Sequence, residues 1–184
     1  MVSHYLHKYN YMQKLFSFIL KTCLLLVFFA FTNLSAKAGL VEKYIKKYAP
    51  LVQTLSAEFG IPVSVITAIS IVESGAGTSR TVKLLNNHFG VVGKNNLLKT
   101  KGIKTKYKRF ASAEESYRAF CKMIARKKYY AALKGNIDYT AWVTAMAKAG
   151  YSTQPTLWKK QIIGAIKKYK LYLNDTLVEA QQFQ

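Results

Sequence analysis

Ile61-Pro-Val-Ser-Val-Ile-Thr-Ala-Ile-Ser-Ile-Val-Glu-Ser-Gly75 is the stretch around which the rest of this chain has to fold. Pro62 suits the first turn of a helix, where a missing N–H costs nothing. From there Val63, Val65, Ile66, Ala68, Ile69, Ile71 and Val72 place apolar side chains on every face. A helix that is apolar all round belongs in the middle of a core. This one ends at Glu73-Ser74-Gly75, so a carboxylate follows directly on the most apolar segment outside the N-terminus. Burial disfavours its ionised form, and the negative end of the helix dipole disfavours it again. Both effects raise its pKa, as a general acid requires if it is to hold a proton near neutrality. The pattern by itself fits equally a glutamate that has emerged from the core into solvent. Ser74-Gly75-Ala76-Gly77 are small and turn-prone, and they either admit a bulky substrate or simply stop the helix.

On the N-terminal side, Val41, Tyr44, Ile45, Tyr48, Val52, Leu55 and Phe59 recur at helical spacing. Pro50 is expected to kink this helix or split it, and Gly60 to stop it. Further back, Lys8, Lys14 and Lys21 surround the start of an apolar run through Cys23–Phe31, and Ala36-Lys-Ala38 follows. A basic leader, a short apolar core and an A-x-A site read as a secretory signal peptide over residues 1–38, leaving one domain over 39–184. The apolar core falls short of the ~20 residues a membrane span needs, and an uncleaved anchor is the alternative. The expected location is therefore the periplasm or the cell exterior.

The formal net charge is +20, and the leader takes four lysines and no acid from it. A basic exported domain is built to meet a polyanion, whether wall glycan, anionic phospholipid or nucleic acid. Cys23, His4 and His7 lie in the leader, so the remainder holds Cys121 and His88 alone. That leaves no internal disulfide and no metal-ligand cluster to expect, and Cys121 reads as a small core residue.

On the C-terminal side, residues 78–85 suggest a short helix, followed by Asn86-Asn87-His88-Phe89-Gly90. Ile103, Thr105 and Tyr107 alternate with Lys104, Lys106 and Lys108, which predicts a small β-ribbon between Lys94 and Phe110 with Gly102 near its turn. Helices resume at Ser112, whose spacing to Glu115 makes a capping box. Asp138 reads as the N-cap of a helix carrying Trp142, Val143 and Met146 and ended by Gly150. Pro155 opens the last helix, with Trp158, Ile162, Ile166 and Tyr169 on its buried face. The expected fold class is mainly α (α+β).

These blocks taken in series resemble the glucosaminidase domain of glycoside hydrolase family 73, the group of flagellar muramidases and autolysins. The resemblance is carried by Glu73-Ser-Gly-Ala-Gly-Thr-Ser79, Asn86-Asn-His-Phe-Gly90, Phe110-Ala-Ser-Ala-Glu-Glu-Ser116, Ala149-Gly-Tyr-Ser-Thr-Gln-Pro155 and Ile166-Lys-Lys-Tyr-Lys-Leu171. It implies a lysozyme-like α lobe, a small β-hairpin lobe and a glycan cleft between them. It implies hydrolysis of the β-1,4 bond after N-acetylglucosamine in peptidoglycan, with no cofactor. Glu73 matches the catalytic acid, and Tyr151 a tyrosine across the cleft from it. Asn87 and Phe89 match a motif lining the cleft base, though a turn residue and a core aromatic explain them equally. The implied partner is the peptidoglycan strand. Transient contact with anionic membrane is compatible, nucleic acid is not expected, and no obligate oligomer is implied.

Two departures bear on mechanism. Ala76 stands where the family usually has Trp, so a sugar-stacking surface is lost. Many members carry a second glutamate in the β lobe, yet residues 74–113 contain no Asp or Glu. The ribbon carries Lys104, Lys106 and Lys108 instead, which either hold wall anions or guard an edge strand. A lone acid suits a substrate-assisted hydrolase. It also suits a lytic transglycosylase, and the missing partner leaves a catalytically impaired wall-binding module as a further alternative.

Overall fold

The computed structural model describes Lys21, Thr22 and residues 39–175. Two compact units divide the chain, Met1–Glu42 and Lys43–Gln184. The expected leader, Lys21 and Thr22 apart, lies outside the described residues. Among the described residues no helix is long and apolar enough to cross a membrane.

Helix α1 spans residues 39–59 and runs on through Pro50, so of the expected kink or split the split does not occur. Pro50 and Lys46 are both exposed, so water can reach the turn where the proline removes a backbone hydrogen bond, and the helix need not break. After Gly60, helix α2 (Val63–Ser74) buries all its residues except Val72 and Glu73. Each buried Val or Ile there contributes roughly 1.5–3 kcal/mol, which makes α2 the axis of the core. It packs against both α7 (Tyr139–Lys148) and α8 (Pro155–Lys168), which also pack on each other. Between them in the chain come α3 (Arg80–Leu85), α4 (Leu97–Lys101), α5 (Ala113–Ala125) and α6 (Tyr130–Leu133).

The expected caps form. The Ser112 hydroxyl accepts from Glu115 N–H at 3.1 Å, and Asp138 Oδ1 accepts from Thr140 and Ala141 N–H at 2.8 and 3.2 Å. Helix α2 has no side-chain cap of its own, since its N-cap is Pro62. Asp175 supplies one from the far end of the chain, its Oδ1 accepting from Ser64 N–H at 2.8 Å.

The β-ribbon does not form as expected. Residues Leu97–Lys101 wind into α4, and Gly102 is its left-handed C-cap rather than a hairpin turn. Pairing among the described residues shrinks to an isolated antiparallel bridge between Val92 and Tyr107. The physical reason is Asn95, whose amide donates to Thr105 and Tyr107 carbonyls at 3.0 and 2.9 Å and whose Oδ1 accepts from Leu97 N–H at 2.9 Å. Backbone bonds join Gly93 to Lys106, Lys108 to Val91 and Arg109 to Lys94, and beyond them the Asn95 side chain takes over the pairing and starts the helix. The alternation was real, because Ile103, Thr105 and Tyr107 are half-buried while Lys104 and Lys106 are exposed. It marks an extended segment without a full partner.

Candidate active site

Glu73 occupies the last turn of α2, where Ile71 still points into the core and Gly75 closes the helix in the left-handed conformation. Its side chain is half-buried. Oε1 accepts a hydrogen bond from Trp158 Nε1 at 2.9 Å. Burial lifts its carboxyl pKa above the ordinary carboxylate value, and the Trp158 bond offsets part of that rise. Expectation and structure therefore agree on direction, with burial as the main cause.

Glu73 faces a cleft of about 560 Å³. It is lined by Phe89, Gly90, Val91, Val92, Lys106 and Tyr107, by Met146 and Ala149–Thr153, and by Met123, Lys127 and Tyr129. Gly90 matters through its backbone: φ is +65°, and a Cβ placed there would lie 3.6 Å from Glu73 Oε2 and 3.7 Å from Tyr107 Cε1. Glu73 Oε2 and the edge of the Tyr107 ring thus both lie close to Gly90, and all three residues line the cleft.

Tyr151 and Phe89 both line this cleft. The Tyr151 hydroxyl donates to the Phe89 carbonyl at 3.3 Å, and its ring lies 4.8 Å from that of Trp158. Burial and the Glu73 charge hold its phenol protonated, well above the usual tyrosine range. Asn87 lies elsewhere. It is 1% exposed and does not line the cleft. Its amide donates to Val91 and Lys108 carbonyls at 2.8 Å each, and its Oδ1 accepts from Val91 N–H at 3.0 Å. It shapes the Gly90 loop from behind. Of the three lysines, Lys106 lines the cleft, whereas Lys104 is exposed away from it and Lys108 lies with Nζ 4.8 Å from the Phe110 ring centroid. Ala76 is 6% exposed and outside the cleft lining.

Behind Glu73 sits a buried polar chain. Tyr117 donates to Tyr44 Oη at 2.9 Å, and Tyr44 Oη lies 2.7 Å from His88 Nδ1. The Ser74 hydroxyl joins it at 3.2 Å from Tyr44 Oη, while accepting from Gly77 N–H at 2.9 Å. With Tyr44 as donor, His88 Nδ1 accepts and the imidazole is neutral. Burial, helped by the charge of Lys47, lowers its pKa to about 4. Tyr117 stays a phenol, since burial pushes it far above the ordinary tyrosine range.

The sequence profile of one family, glucosaminidase, described as mannosyl-glycoprotein endo-β-N-acetylglucosaminidase, matches residues 49–171. The chain belongs to the glucosaminidase family. It is a glycoside hydrolase of the kind that acts on peptidoglycan. Among solved structures, the glucosaminidase domain is similar to the glycoside hydrolase domain of Salmonella typhimurium FlgJ. The TM-score is 0.57 at 20% identity, over 77% of this chain and 95% of that one. The catalytic domain of the Listeria monocytogenes autolysin Auto gives 0.60 at 22% identity, over 74% and 88%. A type VI secretion system effector–immunity complex from Pseudomonas protegens gives 0.53 at 22% identity, over 68% and 91%. At these identities the likeness is one of fold. No curated protein sequence matches the chain.

Within the glucosaminidase domain, Glu73 is the one acid lining the cleft among the described residues. Residue patterning missed three contributors. Trp158 was read as core and is 4% exposed, but a buried indole N–H needs an acceptor, and that need was the available signal. Gly90 was noted only as part of a motif. Tyr107 was assigned to a strand face, and nothing in its spacing placed it beside Glu73.

Proposed function

We propose that this glucosaminidase domain is exported and cleaves the β-1,4 bond after N-acetylglucosamine in peptidoglycan, with Glu73 as general acid and no second carboxylate. The observation that carries the reading is the position of Glu73. It is half-buried at the end of the core helix, with its pKa raised by burial, and no other described acid lines the cleft. A group that stays protonated beyond the ordinary carboxylate range can give its proton to the leaving glycosidic oxygen.

The substrate's own acetamido carbonyl oxygen then takes the role of nucleophile. It attacks the anomeric carbon as the C–O bond to the leaving sugar breaks and Glu73 protonates that oxygen. Water opens the resulting ring, giving its proton back to Glu73. Tyr151 is suited to orient the acetamido group or the incoming water. Its hydroxyl stays protonated, and 3.3 Å is long for an O–H···O bond, so its partner exchanges at little cost. Export rests on the order of basic, apolar and A-x-A segments in residues 1–38.

Digestion of purified wall followed by mass spectrometry tests the reading. The proposal expects new N-acetylglucosamine reducing ends. Anhydro sugar ends would instead identify a transglycosylase, which a single acid also suits. Absence of any lysis would identify a wall-binding module.

A further inference from the structure

Trp158 stands in the first turn of α8, two residues after its N-terminal pair Pro155-Thr156. The tryptophan is 4% exposed, and a buried indole N–H usually finds an acceptor inside the protein. The acceptor is Glu73 Oε1, at 2.9 Å. An indole N–H only donates. An oxygen that accepts from it in this geometry is a poor place for the carboxyl proton, which leaves Oε2. That second oxygen lies toward Gly90, 3.6 Å from where a Cβ would stand. Gly90 and Tyr107 both line the cleft. The ring of Trp158 is braced in turn by Tyr151, 4.8 Å away between centroids.

We propose that Trp158 is a positioning residue: its indole N–H fixes one orientation of the Glu73 carboxyl, so that the transferable proton sits on Oε2 and is delivered from the Gly90–Tyr107 side of the cleft. The proposal rests on the reading of Glu73 as general acid only for its consequence in catalysis; the bond itself is testable without activity. It gives α8 a part in the chemistry although no residue of that helix lines the cleft.

The chain has two tryptophans, which makes the test direct. Trp142 Nε1 donates to the Asn136 carbonyl at 2.8 Å, a partner that does not titrate. In a ¹⁵N-resolved NMR titration of the whole chain, the Trp158 indole signal should move with pH while the Trp142 signal stays still. The movement should vanish in Glu73→Gln. Loss of the N–H in Trp158→Phe keeps an aromatic ring in place and removes a contact that favours the anion. The alkaline limb of wall lysis should then shift to higher pH, with kcat reduced about tenfold and KM changed much less, as expected when orientation is lost rather than binding. If neither indole titrates, or the movement persists in Glu73→Gln, Trp158 does not hold the carboxyl. A folded Trp158→Phe with an unchanged pH profile and kcat overturns the proposal too. Full lysis by Glu73→Gln beside a normal indole titration would instead sink the assignment of the acid and leave the bond standing.

Discussion

At the residue scale, three side chains test the site separately. Tyr151→Phe removes the hydroxyl and keeps the ring against Trp158, so turnover per folded molecule should fall while the melting temperature barely moves. A collapse of melting temperature with normal specific activity would make the tyrosine structural. Gly90→Ala forces a Cβ onto a backbone at φ +65°, and the strain should cost ~1 kcal/mol of stability. The added methyl meets Glu73 Oε2 and Tyr107 only at van der Waals distance, so the variant should fold, and denaturant midpoints would show the loss. Asn87→Ala orphans the Val91 N–H and removes one donor from each of the Val91 and Lys108 carbonyls. It should destabilise by roughly 2–3 kcal/mol, in line with the cost of leaving such groups unsatisfied. The motif around Asn87 was legible in the sequence, but its task was not, because spacing does not say whether an amide faces the cleft or the loop behind it.

At the element scale, α2 was legible because an all-round apolar helix has only one place to go. The caps at Ser112 and Asp138 were legible because each is local, reaching two or three residues ahead. The cap of α2 was not, since Asp175 reaches it across a hundred and eleven residues. Asp175→Ala should therefore destabilise the fold by about 1–2 kcal/mol, as loss of an N-cap does, and equilibrium unfolding would measure it. The ribbon was misread for a similar reason: the Asn95 amide bonds backbone ten and twelve residues away. The polar chain through Tyr117, Tyr44 and His88 joins α1, α5 and the loop after α3. His88 has a folded pKa near 4 against about 6.5 unfolded. Below 6.5 the unfolded state gains a proton that the folded state does not, so stability is full above that pH and declines as pH falls toward 4. The slope is ~1.4 kcal/mol per pH unit. The raised pKa values of Glu73 and Asp175 act oppositely, so the His88 share is read as the difference between the native chain and His88→Asn. Parallel stability–pH curves for the two would remove His88 from the account.

At the scale of the whole molecule, the chain stays strongly basic even after the four lysines of the proposed leader are taken from its +20, and on the proposed function that charge steers it to an anionic wall. Lys104, Lys106 and Lys108 share one extended segment, with Lys106 at the cleft. Reversing all three to Glu should weaken sedimentation with wall at low salt and flatten its salt dependence. Unchanged sedimentation would assign these lysines to a solvated edge. The central claim is that a single carboxylate does the acid–base work, and wall lysis by purified, folded carboxylate variants tests it most directly. Glu73→Gln should be inactive, while Glu114→Ala, Glu115→Ala, Asp138→Ala and Asp175→Asn should each stay within about tenfold of the native rate, ~1.4 kcal/mol of barrier. Full lysis by Glu73→Gln, or a loss as complete as its own in any other folded variant, would contradict that claim.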